Sequence, residues 1–118
     1  MTPTQFQKLL LSLPEVIEGA HHGHADFRLG GRVFASLLPD GERAMLKLPL
    51  DAQRALVERD PATFAPAAGA WGRAGCTYLV LANVTPTKLR PVATDAWQLA
   101  QAAAAARPAK RSPRKRSP

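Results

Sequence analysis

Residues 21–48 read HHGHADFRLGGRVFASLLPDGERAMLKL. Two turn signals, Gly30-Gly31 and Asp40-Gly41, divide the stretch into three short runs. Each run alternates: Phe27 and Leu29 share one parity, as do Val33, Ala35 and Leu37, then Ala44, Leu46 and Leu48. Period two between glycine-bearing turns predicts an antiparallel meander. Asp26, Arg28, Phe34, Ser36, Arg43, Met45 and Lys47 fall on the opposite parity. One face of the sheet is therefore expected to be buried under helices. The other is expected to be polar and basic with a few apolar residues, and to carry any binding function on it or at its edge.

The flanks supply the helices. Thr2-Pro3-Thr4-Gln5 has a cap, a first-turn proline and a capping-box spacing. Phe6, Leu9, Leu10 and Leu13 then form one apolar stripe, and Pro14 ends the helix. Residues 14–24 read as a connector. After Leu48, Asp51 is a candidate cap for a second helix over 52–59, with Ala55 and Leu56 inward. Residues 61–70, PATFAPAAGA, read as a loop. Residues 71–74 are compatible with a short strand, and TYLVLA at 77–82, apolar on both parities, with a central one. Thr85-Pro86-Thr87 opens a last helix with Leu89, Ala93, Ala96, Trp97 and Ala100 inward, and Pro91 is expected to delay or kink it. The fold expected is α+β, one antiparallel sheet with helices on one face, in the order α-β-β-β-α-β-β-α.

At 118 residues the chain is expected to form one domain. A single cysteine, Cys76, excludes an intrachain disulfide and a multi-cysteine metal cage, and fits a reducing cytoplasm. Neither a signal peptide nor a membrane-spanning run is read, so no membrane partner is expected. The net charge of +7 is unevenly placed. Residues 107–118, RPAKRSPRKRSP, hold six of the sixteen basic residues and no acid, which leaves ten basic against nine acidic over 1–106. The expected division is thus a folded domain over 1–106 and a disordered basic tail over 107–118. Ser112-Pro113-Arg114-Lys115 resembles the minor-groove-binding repeats of linker-histone tails. With Lys110, Arg111 and Arg116 it offers sequence-independent phosphate contacts that weaken with salt. The alternative is a merely solubilising tail.

Certain words in this order resemble the MmcQ/YjbR-like proteins: Gly23-His24 with Asp26-Phe27-Arg28, then Gly30-Gly31-Arg32-Val33-Phe34-Ala35, then Lys47, then Trp71-Gly72-Arg73 with Gly75 and Thr77, and finally Ala96-Trp97. The resemblance runs from about Leu9 to Leu99. Cys76, where a bulkier residue is common, and Pro91 depart from it. It implies a two-layer α+β sandwich and a DNA-binding label. It also marks Asp26, Arg28, Lys47, Trp71 and Arg73 as a polar and aromatic set: Arg28, Lys47 and Arg73 for phosphates, Trp71 for stacking. The alternative is that Asp26 pairs with a cation and Trp71 plugs the edge of the core.

His21, His22 and His24 lie close to Asp26, but the spacing matches no known zinc pattern, so no metal is assigned. Ser12 and Ser36 lack the glycines of a nucleophile elbow, a lone cysteine is more often inert, and Gly30-Gly31 precedes no helix. No enzyme and no cofactor are expected. The function expected is a small cytoplasmic nucleic-acid-associated protein, largely non-specific, with a protein- or small-ligand-binding adaptor as the alternative.

Overall fold

The computed structural model of the chain describes residues 1–21 and 23–106. The first helix, α1, spans Pro3–Leu11 with the capping box in place: Thr2 Oγ1 accepts from the Gln5 amide at 3.1 Å, and Gln5 Oε1 accepts from the Thr2 amide at 2.8 Å. Four strands follow: β1 (Ile17–His21), β2 (His24–Leu29), β3 (Arg32–Leu37) and β4 (Arg43–Lys47). Then come α2 (Leu50–Arg59), β5 (Phe64–Pro66), α3 (Gly69–Arg73), β6 (Cys76–Val80), a 3₁₀ turn at Leu81–Asn83 and α4 (Pro86–Ala106). The strands form a single antiparallel sheet in the order β1-β2-β3-β4-β6-β5.

The α+β class and the meander are as the sequence predicts, and three segments differ. The connector contains the edge strand β1, whose IEGAH has no apolar alternation and takes its conformation from pairing with β2. The 61–70 loop contains β5, an edge strand of three residues that tolerates Pro66 at its end. Residues 71–74 belong to α3 and its cap rather than to a strand. Helix α2 starts at Leu50, with Pro49 at the cap position and Asp51 inside the first turn. Ala55 is exposed, and the buried residue of that helix is Gln53. Helix α4 begins at Pro86 and continues past Pro91, whose ring sits on the exposed side.

The core lies between the sheet and α1 and α4. Phe6, Leu9 and Leu10 of α1 and Leu89, Ala93 and Ala96 of α4 meet Phe27, Leu29, Ala35, Ala44, Leu46 and Leu79. Phe6 and Phe27 pack edge to face with centroids 5.8 Å apart. Strand β3 departs from simple alternation. Phe27 pairs with Ala35 but Arg28 pairs with Val33, so Phe34 is the extra residue of a β-bulge. The bulge reverses the parity of what precedes it: Val33 is 42% exposed on Arg28's face, and Phe34, expected outside, is buried in the core. Turning a phenylalanine inward removes more apolar surface from water than turning a valine inward.

Candidate functional site

Antiparallel register sets which side chains share the uncovered face. Gly19, Asp26, Ser36, Met45 and Tyr78 follow one another across β1, β2, β3, β4 and β6. Arg28 and Val33 stand beside them on β2 and β3, and Lys47 pairs with Cys76. At the margin, α3 brings Trp71 over this face. The result is a hollow of about 360 Å³ lined by His24, Asp26, Arg28, Val33 and Lys47 together with Ser36, Met45, Trp71, Ala74 and Cys76. A second hollow of about 310 Å³ shares Ser36, Met45, Trp71 and Cys76 and adds Leu38, Ala67 and Tyr78. Through the shared residues the two form one trough across β2, β3, β4 and β6.

The cationic end is built on a buried carboxylate. Asp26 is 2% exposed and takes a bidentate grip from Arg28: Nε donates to Oδ1 at 2.8 Å and Nη2 to Oδ2 at 3.1 Å. The Asp26 hydrogen bond and charge push the Arg28 guanidinium pKa up, so it stays a cation. The pair lies flat on β1. A Cβ at Gly19 would sit 2.8 Å from Arg28 Cζ and Nε and from Asp26 Oδ1. The absent side chain at Gly19 is thus the space the guanidinium occupies. Lys47, half-buried at the end of β4, supplies a second cation. At the other end Arg43 stands 5.1 Å from the Tyr78 ring centroid and donates to Asp40 at 2.7 Å.

Trp71 is 73% exposed, so it does not plug the core edge. Its helix is fixed from below by Gln53 of α2. The Gln53 amide Nε2 lies 3.0 Å from the Gly72 carbonyl, 3.1 Å from the Cys76 carbonyl and 3.1 Å from Thr77 Oγ1. Thr77 Oγ1 in turn donates to the Gly75 carbonyl at 2.9 Å. Gly72 has no room for a Cβ, which would strike the Ala67 carbonyl. Gly75 holds φ +109°, and a Cβ there would strike the Leu48 carbonyl. The words Gly72, Gly75 and Thr77 therefore describe a turn, and the turn presents Trp71.

Among the residues singled out in the sequence, His24, Asp26, Arg28, Lys47 and Trp71 come together. Arg73 is exposed and does not line the trough. Phe27 belongs to the core and Gly31 to the β2–β3 turn. Lys110, Arg111, Arg114, Lys115 and Arg116 lie outside the described residues, as does His22. Among the described residues no three His, Cys, Asp or Glu side chains could hold a metal ion. Burial pushes the Cys76 thiol pKa up, and Lys47 only partly opposes it, so the sulfur is a poor nucleophile at neutral pH. Sequence reasoning missed Gly19 and Gln53, because only strand pairing places the one under Arg28 and only tertiary packing places the other under α3. No described helix is long and apolar enough to cross a membrane.

Comparison with known proteins places this geometry in a family. The YjbR family model matches residues 11–99. The crystal structure of the Deinococcus radiodurans protein DR2400, which carries a DUF419 domain, is similar with a TM-score of 0.70 and 19% identity, over 83% of this chain and 77% of that one. At that identity the likeness is one of fold. No curated protein matches.

Proposed function

The chain belongs to the YjbR family, and we propose that it is a small, cytoplasmic, non-catalytic nucleic-acid-binding protein whose trough and basic tail share the contacts. One observation carries this reading: the trough sets the cations Arg28 and Lys47 beside the exposed indole of Trp71. Cations meet phosphates and an exposed aromatic ring meets bases, the two interactions that bind nucleic acid without reading its sequence. Six further cations in residues 107–118 add phosphate contacts of the same kind. The raised Cys76 thiol supports a binding role over nucleophilic catalysis.

The test compares the full chain with a chain ending at Ala106, which retains every core residue among the described ones. Binding to labelled DNA is measured by anisotropy across a salt series. The shortened chain is expected to bind more weakly but measurably, and Lys47→Ala is expected to weaken it further. Loss of all binding on truncation would assign nucleic acid to the tail alone. A second reading, a small-ligand adaptor, is favoured by the apolar floor of Val33, Met45 and Cys76. Under it, DNA leaves the shortened chain unchanged while small planar anions raise its melting temperature.

A further inference from the structure

Resting on that reading, we infer that the trough takes single-stranded rather than duplex nucleic acid, with one unstacked base on Trp71 and the neighbouring phosphates on Arg28 and Lys47.

Depth and extent argue for this. The hollow under Trp71, about 360 Å³, is at the small end of ligand-sized cavities, the scale of one nucleotide rather than of a helix. The trough crosses β2, β3, β4 and β6, which are adjacent in the sheet. Three interstrand steps of about 4.8 Å give it a length of roughly 14 Å, enough for a few nucleotides of one strand. Its cations lie along the sheet face: the Arg28 guanidinium packs over Gly19 with its side chain 41% exposed, and Lys47 is half-buried. A duplex is a stiff rod with its bases stacked inside, so it cannot offer a base face to Trp71 while its phosphates reach that floor. A single strand can do both, since its bases turn outward without breaking pairs.

Charge fits the same occupant. Among the described residues lining the trough, Asp26 is the one carboxylate, and both its oxygens are turned to Arg28. Arg28 has five N–H donors and commits two to Asp26, which leaves donors on the outer edge of the guanidinium for a phosphate. The carboxylate thus aims the cation. The apolar floor of Met45, Val33 and Cys76 suits a base or sugar better than a second phosphate.

The experiment titrates the full chain against a labelled oligothymidylate and a duplex of equal length, at physiological salt. Trp71→Ala is expected to lower single-strand affinity about tenfold, the scale of one lost base stack, and to leave duplex affinity within about twofold. Trp71→Phe should retain most of the binding. Gly19→Ala keeps every charge but displaces the guanidinium, and a loss of about threefold is expected. Lys47→Ala gives a second route to the same loss should Gly19→Ala disturb β1. Equal losses for strand and duplex would overturn the single-strand assignment while leaving nucleic-acid binding in place. Unchanged affinity in Trp71→Ala, with both probes bound, would overturn it too and hand the binding to the tail. Thymidine monophosphate binding as tightly as the strand would make the occupant a free nucleotide. Failure of the full chain to bind either probe would remove the parent reading as well.

Discussion

The behaviour of single side chains follows from what each one touches. Asp40 accepts from the Glu42 amide at 2.9 Å and the Arg43 amide at 3.0 Å, and the hydrogen bond from the Arg43 guanidinium is the main reason its pKa is lowered. A carboxylate with a depressed folded pKa stabilises the fold above its unfolded pKa, and that contribution is lost as pH falls through the folded value. The β3–β4 turn should therefore loosen only on the acid side, below the ordinary carboxylate range. Asp40→Asn should flatten that acid slope in a pH series of melting temperatures. The effect will be small, because the pair is solvated and screened. Cys76 shows the opposite direction. Its raised pKa favours the protonated thiol, so alkylation of the native protein should be many-fold slower than of the unfolded chain at neutral pH. Equal rates in the two states would contradict the burial seen at this sulfur.

Elements here are held by interactions that sequence periodicity does not display. The bulge in β3 makes an asymmetric prediction. Phe34→Ala should cost about 3–5 kcal/mol of unfolding free energy, the range for a large aromatic lost from a core. Val33→Ala, at an exposed position, should fall within about 0.5 kcal/mol of zero. Simple alternation predicts the reverse order, so chemical denaturation of the two variants separates the registers. Helix α3 makes a second prediction. It has five residues, two of them glycine, and no side-chain cap, so it draws little stability from its own sequence. Gln53 supplies what it lacks. Removing that amide takes a buried donor from Thr77 Oγ1 and from the Gly72 and Cys76 carbonyls, which still accept from the Gly75 and Ala67 amides. Gln53→Ala is expected to destabilise by about 1–2 kcal/mol. Hydrogen exchange should localise the loosening to residues 69–77 while α1 and α4 keep their protection. Uniform loss of protection would instead make Gln53 part of the global core.

At the scale of the whole molecule the charge is divided between two parts of different character. The 1–106 segment has nearly balanced charge, and the trough concentrates Arg28 and Lys47, whereas residues 107–118 carry six cations with no acid. If both trough cations meet phosphates, the chain ending at Ala106 should show a slope of log affinity against log salt of about −1.4 on a single strand. The full chain should be steeper by as much as about −4, if all six tail cations engage. Identical slopes for the two chains would show that the tail makes no phosphate contacts. Both chains should melt at the same temperature within about a degree, since the chain ending at Ala106 keeps every core residue among the described ones.

The sequence by itself determined the elements that carry a strong local pattern. The Thr2–Gln5 capping box with the Phe6–Leu9–Leu10 stripe, and the meander with its glycine turns, are written in spacing that a few residues fix among themselves. The same is true of the gathering of Asp26, Arg28 and Lys47 on one parity, because a strand alternates whatever surrounds it. Tertiary structure alone decided the rest. Strand β1 exists because β2 offers it an edge, and α3 because Gln53 holds it and Gly72 lets it lie against the Ala67 carbonyl. Phe34 points inward because a bulge yields the larger buried side chain. In the candidate site, Trp71 was legible as a residue but not as an exposed one, and Arg73 was legible as a charge but not as one outside the trough. Exposure and juxtaposition belong to pairs of segments distant in the chain, and no local pattern encodes them.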